Sequence, residues 1–308
     1  MSLLLFALGL VLLYFGGELL VDNAAGLGRR FGLSPLVVGL TIVAFGTSSP
    51  ELATSMLAVF RNASDLAVGN IVGSNVANLG LVLGVTGLIN PVRTKARFLH
   101  RDGGFMLFSS ALLLWVGADG VVARFEGAVL FVLLVGYLAA LFRTRTELEV
   151  EQEFSQEYGE PAARTWLAVL GVAAGVALLA GGAELLVRSA IAIAKTLGVS
   201  ERVIGLTMVA LGTSLPELAT SIIAALKREG DIVVGNLIGS NVFNVLAVLG
   251  ITASIRPVAL DWAAARSDVW VMLAVSALAL VALRTRDRLA RPEGGILLAV
   301  YLGYIGYL

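Results

Sequence analysis

The sequence predicts an all-α membrane protein, with ten transmembrane helices in two inverted five-helix repeats. Three observations carry that prediction. Of 308 residues, 58% are apolar and the mean hydropathy is +0.90, more apolar surface than one soluble core of this length can hide. Apolar runs of about 18 or more residues, long enough to cross a bilayer, follow one another with only short polar breaks. A polar motif embedded in these runs occurs twice at a fixed offset.

Taken in order, the runs give spans at roughly 3–24, 35–60, 66–89, 103–119, 125–142, 166–194, 202–226, 232–255, 268–284 and 292–308. The first is apolar from Leu3 with no basic segment before it, and it reads as a helix retained in the chain. The long polar stretch 143–165 carries Glu147, Glu149, Glu151, Glu153, Glu157 and Glu160. It lacks the glycine turn of an EF-hand loop and reads as a solvated linker. The expected organisation is therefore a first membrane repeat over 1–142, a cytoplasmic acidic linker over 143–165 and a second, inverted repeat over 166–308. Sorted by alternate loops, 15 lysines and arginines fall on one side and 7 on the other. The richer side is expected to be cytoplasmic, with both termini outside. Tyr301, Tyr304 and Tyr307 at the end of the last span fit an interfacial aromatic belt.

The repeat is explicit. Residues 46–55, Gly-Thr-Ser-Ser-Pro-Glu-Leu-Ala-Thr-Ser, return at 212–221 as Gly-Thr-Ser-Leu-Pro-Glu-Leu-Ala-Thr-Ser. Residues 69–75 return at 235–241, and Glu18-Leu19-Leu20-Val21 returns as Glu184-Leu185-Leu186-Val187. Gly32 pairs with Gly198 and Gly39 with Gly205, again 166 residues apart. Five spans is an odd number, so the second copy enters the membrane from the opposite side. Inverted repeats of this kind are typical of secondary transporters, whose substrate sites lie near the midplane where the copies meet.

Pro50 sits midway along the second span and is expected to break it near Thr47, freeing carbonyls around Ala44 and Phe45. Freed backbone groups at this depth persist only where they line a cavity. Thr47 and Glu51 are four apart and share a face. An ionised carboxylate at bilayer centre costs about 2.5–3.5 kcal/mol on translocon scales, yet the second copy repeats it as Glu217, with Thr213, Ser214 and Pro216. The third span adds Asn70, Ser74 and Asn78 along one stripe, with Asn75 beside it; the eighth adds Asn236, Ser240 and Asn244, with Asn241. Gly69, Gly73, Gly235 and Gly239 follow the small-xxx-small spacing of closely packed helices. Interhelical hydrogen bonding would account for the asparagines, but not for two glutamates in the bilayer interior.

This donor set is all oxygen, which suits a hard cation, and its flexible geometry suits calcium better than magnesium. There is no cysteine, and His100 is the only histidine, so thiolate and clustered imidazole chemistry are excluded. No HExxH motif is present, so neither an enzyme nor a cofactor is expected. Lys+Arg and Asp+Glu balance at 22 each, which implies no nucleic-acid partner.

At these residues the sequence resembles the cation/calcium exchanger superfamily, in particular its prokaryotic sodium/calcium exchanger branch. The paired G-T-S-x-P-E-L and G-N-x-x-G-S-N motifs carry the resemblance. It implies ions held by Thr47, Ser48, Glu51, Ser74 and Asn78 from one repeat and by Thr213, Ser214, Glu217, Ser240 and Asn244 from the other, joined by the carbonyls of Ala44 and Ala210. It also implies a Ca²⁺/Na⁺ antiporter of the prokaryotic inner membrane, in which the first and sixth spans slide across the bundle. Family members commonly carry an aspartate at one of the two positions held here by Asn78 and Asn244. Amides at both leave one charge fewer, and stoichiometry and electrogenicity open. A carboxylate pair can also carry protons, so a Ca²⁺/H⁺ antiporter is the alternative; a cation channel fits a proline-broken pocket less well. Glu18 and Glu184 form a second symmetric acidic pair, expected to anchor the sliding helices or to pair with neighbours such as Arg188. Oligomeric state leaves no mark in the sequence, and a monomer suffices to enclose the site.

Overall fold

The computed structural model describes residues 2–93, 98–143, 164–196, 210–285 and 288–307. Nearly all of the expected linker, the beginning of the seventh expected span with Gly198 and Gly205, and the basic residues Lys95, Arg97 and Arg286 lie outside the described residues.

The first half opens with α1 (Ser2–Phe31). It stops at Gly32, whose φ of 61° suits glycine, while the Leu33 amide donates to the Gly28 carbonyl at 2.8 Å, closing the helix end. Ser34 caps α2 (Pro35–Thr47), accepting from the Val37 amide, and Pro35 occupies the first turn, where its missing N–H costs nothing. α3 (Ser49–Phe60) continues α2 across a 42° bend. Then come α4 (Ser64–Ile89), β1 (Val92–Arg93), α5 (Gly104–Val116), β2 (Val121–Val122) and α6 (Arg124–Arg143). The second half repeats the order: α7 (Thr165–Thr196), α8 (Ala210–Thr213), α9 (Leu215–Leu226), α10 (Gly230–Ile255), β3 (Val258–Ala259), α11 (Trp262–Arg284), β4 (Arg288–Leu289) and α12 (Arg291–Tyr307). The bounds of α3, α4 and β1 return in α9, α10 and β3 at the same 166-residue offset as the motifs.

Among the described residues, six helices are long and apolar enough to cross a membrane: α1, α4, α6, α7, α10 and residues Ala265–Arg284 of α11. The bent α2–α3 pair makes a seventh candidate, and α5, α9 and α12 are shorter. This is a multi-pass helical membrane protein. The apolar window of α10 is wholly buried and that of α4 is 78% buried, against 22–39% for α1, α6, α7 and α11. Hence α4 and α10 form the centre, and the outer helices turn apolar side chains such as Trp115, Phe125 and Trp166 outward, as lipid contact requires. α1 packs along α7.

The halves also interlock at their ends. β1 pairs with β4 and β2 with β3, both antiparallel, so each small ribbon takes one strand from each half. The aromatic tail departs from a simple belt. Tyr301 is buried, with its Cβ 2.8 Å from where a Cβ on Gly80 would stand, and Tyr304 donates to Asp268 at 3.1 Å. Only Tyr307 is fully exposed: the space above Gly80 draws one ring inward, and an acidic partner draws the second.

Candidate cation site

The site begins at the two helix breaks. Ser48 (φ −84°, ψ 1°) and Ser214 (φ −86°, ψ 3°) leave helical geometry, and Pro50 and Pro216 fall in the first turns of α3 and α9. A proline there removes no helical hydrogen bond. The carbonyls of Ala44 and Phe45 are consequently not freed as expected. Ala44 accepts from the Ser48 amide at 2.9 Å and from the Thr47 hydroxyl at 3.4 Å, while Phe45 accepts from Ser49 Oγ at 2.7 Å. Ala210 opens α8, the first described turn of its segment.

Glu51 and Glu217 follow each break by three residues, in the first turns of α3 and α9, and both are fully buried. The partial positive charge of a helix N-terminus favours a carboxylate there. Ser48 Oγ donates to Glu217 Oε1 at 3.5 Å across the two halves. The two carboxylates stand near enough to repel each other. Both oxygens of Glu51 and Oε2 of Glu217 accept no hydrogen bond, and neither do the buried Ser214 Oγ, Asn78 Oδ1 and Asn244 Oδ1.

The flanking walls come from α4 and α10, and α10 is held against α2 by direct backbone contact. A Cβ on Gly235 would meet the Leu36 carbonyl at 2.5 Å, and one on Gly239 would meet Ala44 Cβ at 2.7 Å. This approach brings Asn236 and Ser240 to Thr47. The Thr47 hydroxyl donates to Asn236 Oδ1 at 3.2 Å and shares a 3.3 Å bond with Ser240. The other half repeats the pattern: Thr213 donates to Asn70 Oδ1 at 3.2 Å and shares a 3.3 Å bond with Ser74. Asn70 and Asn236 also donate to Ser55 and Ser221, at 3.0 and 3.2 Å.

Asn75 and Asn241, beside the stripe in the sequence, tie the two halves together. Asn75 Nδ2 donates to the Asn241 carbonyl and Asn241 Nδ2 to the Asn75 carbonyl, each at 3.3 Å. Their side-chain oxygens accept from the opposite partner's neighbour, Asn244 Nδ2 to Asn75 Oδ1 at 3.0 Å and Asn78 Nδ2 to Asn241 Oδ1 at 3.1 Å. Asn75 and Asn241 thus close a reciprocal ring, onto which Asn78 and Asn244 each donate one N–H, leaving their own side-chain oxygens unbonded. A five-residue π-turn starts at Asn78 and a six-residue one at Asn244, a local widening common at functional sites. The signal in the sequence was present: both asparagines sit inside the repeated motif, three residues before the stripe's last amide.

No group of three or more acidic, imidazole or thiol side chains suited to a metal occurs among the described residues, so the charge of this site rests on two glutamates and the remainder is neutral oxygen. Glu18 and Glu184 stand apart from it. Glu18 accepts from Tyr14 at 3.0 Å and lies 4.0 Å from Lys227, which pairs with Asp22; Glu184 pairs with Arg188 on its own helix.

Fold and site together define a polytopic helical membrane protein with a doubly acidic, oxygen-only centre. The chain belongs to the sodium/calcium exchanger family, whose profile matches residues 1–143 and 167–308. It is 32% identical to the sodium/calcium exchanger MaX1 of Methanosarcina acetivorans, over 99% of this chain and 97% of that one. It is 35% identical to the inner membrane protein YrbG of Escherichia coli, over 99% and 94%. Its fold matches the crystallised sodium-calcium exchanger NCX_Mj with a TM-score of 0.83 at 31% identity, covering 100% of this chain and 98% of that one.

Proposed function

We propose that this chain is a secondary antiporter that exchanges Ca²⁺ for Na⁺ by alternating access, at one midplane site formed by Ala44, Thr47, Ser48, Glu51, Ser74, Asn78, Ala210, Thr213, Ser214, Glu217, Ser240 and Asn244. Its ten transmembrane helices form two inverted five-helix repeats, 1–142 and 166–308, joined by the cytoplasmic linker 143–165, with both termini outside the prokaryotic inner membrane. The observation that carries the reading is the pair of fully buried carboxylates, three of whose four oxygens have no hydrogen-bond partner. Uncompensated buried charge of this kind is stable only when paired, and the surrounding hydroxyl and amide oxygens suit a cation stripped of water. A family relative named as a sodium/calcium exchanger supports Ca²⁺ and Na⁺ as the cations. Each ion neutralises the same oxygens, so one must leave before the other binds. A site that is stable when loaded and unstable when empty favours exchange over leak.

The test is radioactive calcium flux in reconstituted vesicles under separate sodium, proton and potassium gradients. Calcium uptake is expected to follow an outward sodium gradient; uptake that follows the pH gradient and ignores sodium would overturn the sodium assignment. Glu51→Gln and Glu217→Gln each remove half of the fixed charge. Removing one partner of a buried charge pair costs about 3–5 kcal/mol, so exchange should fall by roughly a hundredfold or more. The calcium-dependent rise in thermal midpoint should vanish as well, while the cation-free protein stays folded. Wild-type flux in either variant would sink the site.

A further inference from the structure

A second polar region lies at one end of the bundle, where the last turn of α4, the β1–β4 ribbon and the α9–α10 turn enclose a cavity of about 550 Å³ lined by Asn90, Arg93, Ala225, Arg228, Asp231 and Arg288. Among the described residues, three arginines against one aspartate give its lining a net charge of plus two. Arg93 and Arg288 are cross-strand partners in the ribbon, an arrangement in which like charges repel. Arg228 holds φ at 62°, a conformation that asparagine tolerates far better than arginine.

The internal repeat supplies a control. At the 166-residue offset, Arg228 corresponds to Asn62, which has φ 61°, and Arg93 corresponds to Ala259. In the other ribbon, Ala259 pairs with Val121, which by strand register, one residue off the 166-residue offset, stands where Arg288 does. The same backbone is thus built around the other ribbon from asparagine, alanine and valine, so the fold does not require arginine at any of these three positions. Orientation by positive loop charge explains why arginines lie on this side; it does not explain their convergence on one cavity, two of them face to face. Ile89 and Leu226, adjoining the cavity's lining, are exposed and apolar, as acyl chains would require.

We infer that Arg93, Arg228 and Arg288 form a binding site for a phosphate-bearing anion, and that its occupant is the headgroup of an acidic membrane lipid. The guanidinium groups offer forked donors to phosphate oxygens, and basic pockets between transmembrane helices recognise such headgroups. This does not depend on the exchange reading, because the cavity shares no residue with the carboxylate site.

Native mass spectrometry of the detergent-purified full chain, titrated with phosphatidylglycerol and with phosphatidylcholine, tests it. The wild type should retain phosphatidylglycerol selectively, and R93Q/R228Q/R288Q should bind it roughly a hundredfold more weakly, at about one charge contact's worth per arginine. R93K/R288K keeps the charge and should retain most of the binding, which separates loss of the site from loss of fold. Equal lipid binding by wild type and triple variant would overturn the site. Displacement of phosphatidylglycerol by millimolar inorganic phosphate would overturn the lipid assignment, since a headgroup anchored by its chains resists a free ion.

Discussion

Four amides decide which atoms face the carboxylates. Because Asn75 and Asn241 accept from Asn244 and Asn78, each of those NH₂ groups is tied to the ring by one N–H, and the side-chain oxygens are left without a partner. Asn241→Ala removes the acceptor of Asn78 and the donor to the Asn75 carbonyl, so the Asn78 amide is free to turn. Loss of such bonds costs about 1–2 kcal/mol, which should raise the calcium concentration for half-maximal uptake roughly tenfold; an unchanged value would show that the ring does not orient the ligand. The same ring requires neutral donors at 78 and 244, so the fixed charge of the site is two glutamates. One Ca²⁺ or two Na⁺ balances it, and exchange at that ratio moves no net charge. Calcium uptake should therefore be insensitive to an imposed membrane potential, and a rate that follows a potassium–valinomycin clamp would refute the balance. The residues on the motif stripe were legible from their spacing. The ring was not, because which asparagine meets which depends on how α4 crosses α10.

Helix geometry carries information that hydropathy lacks. Pro50 and Pro216 announce the breaks, but hydropathy cannot distinguish an α-turn from the π-turns at Asn78–Val82 and Asn244–Leu249, and the carbonyls of Ala44 and Phe45 keep hydrogen-bond partners because each break falls two residues before the proline, on Ser48 and Ser214. Contact between α2 and α10 is fixed by the absence of a side chain. Gly235→Ala would drive a methyl to 2.5 Å from the Leu36 carbonyl, backbone that cannot swing aside. Overpacking of this kind costs about 1–3 kcal/mol, so the thermal midpoint should fall and Thr47 should lose its register with Asn236 and Ser240. Gly136→Ala on α6, with nothing within 4 Å of the added methyl, is the matched control and should leave the midpoint unchanged or slightly raised, as helix propensity favours alanine. Equal losses in both variants would mean that helix composition, not the α2–α10 approach, sets the effect.

Across the whole molecule, the two halves share a backbone plan but not their charges. The duplication was legible from the 166-residue offset; the divergence was not, because it shows only once equivalent positions are seen with their partners. Asp22 in α1 corresponds to Arg188 in α7, and Lys227 at the end of α9 corresponds to Arg61. Lys227 of the second half reaches across to Asp22 of the first, with Glu18 at 4.0 Å, joining α1 to α9. At the position equivalent to Asp22, Arg188 instead turns back to Glu184 within a single helix. If α1 and α7 slide over the remaining helices during exchange, only the first contact must break as α1 moves past α9. Lys227→Gln should therefore loosen this arrangement and raise the maximal exchange rate, whereas Arg188→Gln, which cuts a contact inside one rigid helix, should leave it unchanged. Partly exposed ion pairs are worth at most about 1 kcal/mol, which limits the gain to roughly fivefold and predicts that it shrinks as ionic strength rises and screens the pair in the wild type. Initial rates of calcium flux for both variants at low and high salt test the argument. A gain of equal size in Arg188→Gln, or one indifferent to salt, would mean that the Lys227 contact does not restrain the movement of α1.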